Sequence, residues 1–75
     1  MKYEIRFKKR GEVTDKQKAG ILKKLKLKIM KEKDKGPIEL WIVKAKDKLT
    51  EESMARVLKF YKVTKEMSNL SITER

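Results

Sequence analysis

Seventy-five residues suffice for one small domain, and 18 Lys with 4 Arg against 11 acidic residues leave a formal net charge of +11. With no Cys and no His, disulfides, thiol chemistry and Cys/His metal sites are excluded. A small domain stays soluble with a net charge of about 2–8, so the excess points to a polyanion, whose encounter a positive field speeds.

Residues 1–48 hold 17 Lys/Arg against 7 acids, a net of +10, and residues 49–75 hold 5 against 4, a net of +1. The basic surface is therefore expected in the first two thirds of a single domain spanning 1–75. Apolar runs reach only a few residues, as in Leu40-Trp41-Ile42-Val43, far short of the ~20 needed for a membrane span. The start alternates in polarity and lacks the apolar stretch of a secretion signal, which predicts a cytosolic protein. Lys and Glu abound beside one Asn and one Gln, the pattern of hyperthermophile proteins.

Lys2 to Lys8 alternate strictly, predicting a strand with Tyr3, Ile5 and Phe7 inward. A basic turn, Lys8-Lys9-Arg10-Gly11, follows. Thr14-Asp15-Lys16-Gln17 is a capping-box pattern, and Ala19, Leu22 and Leu25, with Ile21 beside them, predict an amphipathic helix after it. Leu25 to Met30 is ambiguous. Propensity favours helix, whereas the alternation of Leu25, Leu27 and Ile29 favours a strand, as does the hairpin loop read in Lys33-Asp34-Lys35-Gly36-Pro37. Ile38 to Ala45 is a strand, with Ile38, Leu40 and Ile42 assigned to the core. Thr50-Glu51-Glu52 opens a second helix carrying Met54, Val57, Leu58 and Tyr61 on one face, ending between Tyr61 and Met67. Leu70 to Thr73 predict a short last strand.

The preferred fold is a two-layer α/β sandwich in ferredoxin-like β-α-β-β-α-β order, with the first and third strands central and both helices on one face. The alternative, if Leu25–Met30 continues the helix, is β-α-β-α with a last edge strand. Either way one sheet face lacks helices. It is expected to carry Glu4, Arg6 and Lys8, then Lys26, Lys28 and Met30, then Glu39, Trp41 and Val43.

A Trp among cations matches a single-strand platform, the ring stacking on a base while Lys and Arg neutralise phosphates. The candidate nucleic-acid contacts are Arg6, Lys8, Lys9, Arg10, Lys24, Lys26, Lys28, Lys31 and Trp41. Lys outnumbers Arg, which favours phosphate contacts over bidentate reading of guanine and so predicts weak sequence specificity. The predicted function is a small non-enzymatic RNA- or DNA-binding protein with no cofactor and no metal. Its rival is a protein-binding accessory or inhibitory factor, viral or from a mobile element, docking through the Trp41 face on a larger nucleic-acid machine. Trp41, Val43 and Met30 also suggest a homodimer seam. Catalysis has no motif behind it: there is no P-loop and no dinucleotide-binding glycine pattern. The opening Lys2-Tyr3-Glu4-Ile5-Arg6-Phe7-Lys8-Lys9 resembles the first strand of RelE/ParE-type toxins, but the basic strand-rich segment such toxins use for catalysis is missing and no family is assigned. The third strand lacks the aromatic signature of an RNA-recognition motif.

Overall fold

The computed structural model describes residues 1–64 and 70–75. Its elements run β1 (Lys2–Lys8), α1 (Asp15–Leu25), β2 (Leu27–Lys35), β3 (Ile38–Ala45), α2 (Glu51–Phe60) and β4 (Ser71–Glu74). They form one antiparallel sheet in the order β2-β3-β1-β4, with β1 and β3 as the expected central neighbours. Both helices contribute to a single apolar cluster against one face of that sheet, giving the expected two-layer α/β sandwich.

Local chemistry sets the element ends. Thr14 caps α1: its Oγ1 accepts the Gln17 backbone N–H at 3.1 Å, and Gln17 Oε1 accepts the Thr14 N–H at 3.0 Å. Gln17 Nε2 donates on to the carbonyl of Tyr61 at 3.0 Å, tying the start of α1 to the end of α2. Thr50 caps α2 in the same way, through the Ser53 N–H. α2 ends at Phe60, with Tyr61 as its cap. The window expected for this end ran to Met67, which lies outside the described residues.

The ambiguous stretch resolves into both of its readings, divided at Lys26. Leu25 closes α1, and Lys26 adopts the left-handed conformation (φ 56°), with its N–H turned to the carbonyls of Leu22 and Lys23. That turn starts β2 at Leu27, so Leu25 belongs to the helix rather than to the expected strand. The strand also runs further, to Lys35, and shrinks the expected five-residue hairpin loop to Gly36-Pro37. Gly36 has φ 73°. Pro37 cannot take a positive φ, which excludes a type I′ turn.

The facing of β3 is the reverse of the expected one. Trp41, Val43 and Ala45 pack into the core, while Ile38, Leu40 and Ile42 take the opposite face. Ile5 is directly opposite Trp41, and Tyr3 opposite Val43. Trp41 is 0 % exposed, and its ring meets Phe7 edge-on at 5.2 Å and 86°. β3 is apolar on both faces, so its own alternation does not choose between them, and a slip of one residue exchanges them. The choice falls to volume: the helix-covered side has room for an indole, and Trp repays burial more than Leu does. Leu40 is only 5 % exposed although no helix covers it and it stands outside the core cluster. Its cross-strand neighbours are Arg6 and Lys33.

Gly20 of α1 lies against the ring of Tyr61, the residue that caps α2. A Cβ there would lie 2.6–2.8 Å from Cε1, Cζ and Oη of Tyr61. Gly20→Ala gains about 1 kcal/mol of helix propensity but faces an overpacking cost of about 1–3 kcal/mol. We expect a lower Tm for Gly20→Ala alone and a higher one in a Tyr61→Ala background, where the space is open. A double-mutant cycle of thermal melts measures this, and a stabilised single variant would contradict the contact.

Candidate nucleic-acid interface

The sheet face without helices is built from alternate residues. β1 contributes Lys2, Glu4, Arg6 and Lys8, and β3 contributes Ile38, Leu40, Ile42 and Lys44. β4 adds Ser71 and Thr73, the partners of Arg6 and Glu4.

β2 reaches the same face through a bulge. The register passes from Ile29↔Val43 to Lys31↔Ile42, leaving Met30 as the extra residue. Before the bulge Leu27 and Ile29 point to the core and Lys28 away from it. After the bulge Glu32 and Asp34 lie opposite Trp41 and Glu39, on the helix side, and Lys31, Lys33 and Lys35 take the open side. Unbroken alternation would have put Lys28, Met30, Glu32 and Asp34 on the open face, a net charge of −1. The bulge puts Lys28, Lys31, Lys33 and Lys35 there, a net of +4.

The strands therefore place eight cations on one face (Lys2, Arg6, Lys8, Lys28, Lys31, Lys33, Lys35 and Lys44), all exposed. Among the described residues Glu4 is the one acid of these strands on that face. It is paired with Arg6 at 3.6 Å and with Arg75 at 3.5 Å. Seven of the cations form a row on β2 and a row on β1, separated by the apolar strip Ile38-Leu40-Ile42 on β3, and Lys44 closes the gap between the rows at one end. Two inter-strand spacings, about 10 Å, separate the rows.

The other acids are held on the helix side. Lys18 pairs with Glu32. Lys9 Nζ sits 2.6 Å from Asp34 Oδ1 and 3.1 Å from Glu39 Oε2, and the indole N–H of Trp41 donates to Glu39 Oε1 at 3.2 Å. The Lys9 and Glu39 side chains are 9 % and 8 % exposed. Hydrogen bonding to Asp34, and then to Glu39, holds the Lys9 ammonium above the ordinary lysine range against the opposing effect of burial. The hydrogen bond from Lys9 likewise holds the Asp34 carboxyl below the usual carboxylate range, with help from the Gly36 N–H.

These directions set a pH dependence. The Lys9 contribution to stability is full below about pH 10.4 and is lost as pH rises through its raised folded value. The Asp34 contribution is full above about pH 3.9 and is lost as pH falls through its lowered folded value. Asp34 is 68 % exposed, so the acid limb should be shallow. Asp34→Asn keeps an oxygen for the Gly36 N–H but loses the charge. We expect it to flatten the fall in Tm below about pH 4, and an unchanged acid limb would assign that limb to other carboxyls.

The sequence-derived candidates separate on this geometry. Arg6, Lys8, Lys28 and Lys31 lie together on the open face. Trp41 does not: it is buried on the other side and presents no ring to a base. Lys9 is committed to Asp34 and Glu39 and is not a free cation. Arg10 is exposed but lies beyond the end of β1, its backbone N–H bound to the Val63 carbonyl at 2.8 Å. Lys24 lies in the last turn of α1, in the helix layer near Arg56 and Phe60. Lys26 sits at the start of β2, at one end of the face. The homodimer seam also fails as drawn, because Val43 is as fully buried as Trp41 and only Met30 is exposed.

Missed by sequence reasoning were Lys2, Lys33, Lys35, Lys44 and Arg75. Lys2 was legible from the strict alternation of β1. Lys33 and Lys35 were assigned to a loop, and no sequence signal announces the bulge that turns them onto the face. Lys44 followed from the facing of β3, and Arg75 enters only through the pairing of β4 with β1.

Among the described residues no cluster of acids, His or Cys is arranged to hold a metal ion, and no helix is long and apolar enough to cross a membrane. Comparisons with protein-family models, curated proteins and solved structures find no match to this chain.

Proposed function

We propose that this domain is a non-enzymatic nucleic-acid-binding module that holds phosphates on its open sheet face. The observation that carries the reading is the sorting of charge by the Met30 bulge: eight exposed strand cations and one already paired acid share a face, while Glu32, Asp34 and Glu39 are turned away from it. Such sorting costs like-charge repulsion across the strands, and a polyanion relieves it. The aromatic residues of the chain are Tyr3, Phe7, Trp41, Phe60 and Tyr61. The first three are buried in the core, and the last two belong to the end of α2. Binding is thus to the backbone rather than by stacking, and its sequence specificity is low.

Affinity should fall steeply with salt, with a log–log slope of about −0.9 for each duplex phosphate contacted and about −0.7 for each on a single strand. Without stacking to favour unpaired bases, a duplex should bind at least as tightly as either of its strands at the same salt. Titration of labelled duplex and single-stranded oligonucleotides at two salt concentrations tests both points. No binding at low salt would refute the reading. A clear preference for single strands would refute the backbone-only mode. The rival reading, docking on a protein through Trp41, loses its anchor with the burial of that ring.

A further inference from the structure

At one end of the open face, where β2 begins and β3 ends, a shallow groove of about 250 Å³ is lined by Lys26, Leu27, Lys28, Lys44, Ala45 and Lys46. Four lysines and no acid line it. Two features of these lysines run against local stability. Lys28 and Lys44 stand directly opposite each other on antiparallel strands, a pairing that like charges disfavour. Lys26 occupies a left-handed helix end, where Gly or Asn is the comfortable residue. Both choices raise the positive charge at the same point, and residues held against local preference mark functional positions.

We propose that this groove holds the terminal phosphate of a nucleic-acid strand. A terminal phosphate monoester carries close to two negative charges above its second pKa of about 6, whereas an internal phosphodiester carries one. Four lysines without a countercharge gain more from the doubly charged group. The position suits it as well: the groove takes in Lys28 and Lys44, the last cations at this end of the face, where a strand lying along the face would end. The proposal rests on the nucleic-acid reading above and adds end recognition to it.

The test uses a duplex of about one helical turn with 5′-phosphate, 3′-phosphate or hydroxyl ends, titrated at neutral pH and fixed salt. We expect one of the phosphorylated duplexes to bind about fivefold tighter than the hydroxyl-ended one, the size of one added exposed ion pair. The preference should vanish in Lys28→Gln/Lys44→Gln, and it should shrink as pH falls below about 6. Lys8→Gln/Lys35→Gln, at the other end of the face, should weaken all three duplexes alike and keep the preference. Inorganic phosphate separates the sources of the group. Removal of the preference by a millimolar excess leaves the terminal phosphate of the strand as the bound group. A preference that survives in Lys28→Gln/Lys44→Gln places recognition outside the groove and overturns the proposal. Equal affinities for all three ends also overturn it and leave the nucleic-acid reading standing. Failure of every duplex to bind refutes both. The Lys28/Lys44 variant should melt no lower than the parent, because it relieves a repulsion, so its loss of preference is not a folding defect.

Discussion

Trp41→Ala is expected to remove a large share of the stability of this protein and to reveal nothing specific about its ligand. Truncating a fully buried Trp costs roughly 3–5 kcal/mol, and at about 0.05–0.15 kcal/mol per residue the whole domain has on the order of 4–11 kcal/mol. The truncation also empties the space beside Phe7 and strips Glu39 Oε1 of its indole donor, leaving a buried carboxylate short of a partner. Urea or thermal unfolding followed by far-UV circular dichroism measures the effect. Trp41→Phe makes the comparison informative: it keeps a ring against Phe7 and loses the N–H, so the chain should fold with lower stability, bind oligonucleotides as the parent does and keep the same salt slope. A stable Trp41→Ala protein with weakened binding is the outcome a stacking platform would give, and it would contradict the buried position of this residue.

The second large effect concerns the two cation rows. Changing Lys8, Lys31, Lys33 and Lys35 together to Gln keeps most of each aliphatic stem and removes four charges from the face. If each makes a phosphate contact, the salt slope should fall by about four units, and the affinity near 0.1 M salt by on the order of 10³-fold. The fold should survive, because all four side chains are exposed and none is in a close ion pair among the described residues. A control with the same change of net charge elsewhere, in Lys23, Lys24, Lys48 and Lys59, separates contact from long-range steering. It should slow association without lowering the slope by as much. Equal losses in the two quadruple variants would mean that the sheet face is not the contact surface.

The two variants probe opposite sides of one sheet, and the corrected facing of β3 gives them their different meanings. With Trp41 outward the ring would be a ligand contact and the Ile38-Leu40-Ile42 strip the core. With Trp41 inward, the strip becomes a narrow apolar floor between rows of lysine, and protein association through a Trp41-Val43-Met30 seam has no surface to use. A face-to-face dimer would bring eight strand cations against eight, which opposes it further.

Much of this protein is determined by the sequence alone. Apart from the choice between helix and strand at Leu25–Met30, the order of elements follows from the period-2 alternation of Lys2–Lys8, the capping box at Thr14 and Gln17, the turn residues Gly36 and Pro37, and the 3.6-residue spacing from Met54 to Tyr61. These signals are local and act within a few residues of themselves. The excess of Lys over acids in the first two thirds is read directly from composition. What only the tertiary structure decided is parity. β3 has apolar residues on both faces, and which face meets the helices depends on the volume available between sheet and helices and on Phe7 and Ile5 on the neighbouring strand. In β2 parity is set twice, by the left-handed turn at Lys26 and by the extra residue at Met30. Neither leaves a periodicity to read, since a bulge is a mismatch between two strands and exists only once both are paired. One inserted residue reverses every side chain after it, and so the pairing of β2 with β3 decided that Lys31, Lys33 and Lys35 share a face with Arg6 and Lys8 while Glu32 and Asp34 do not.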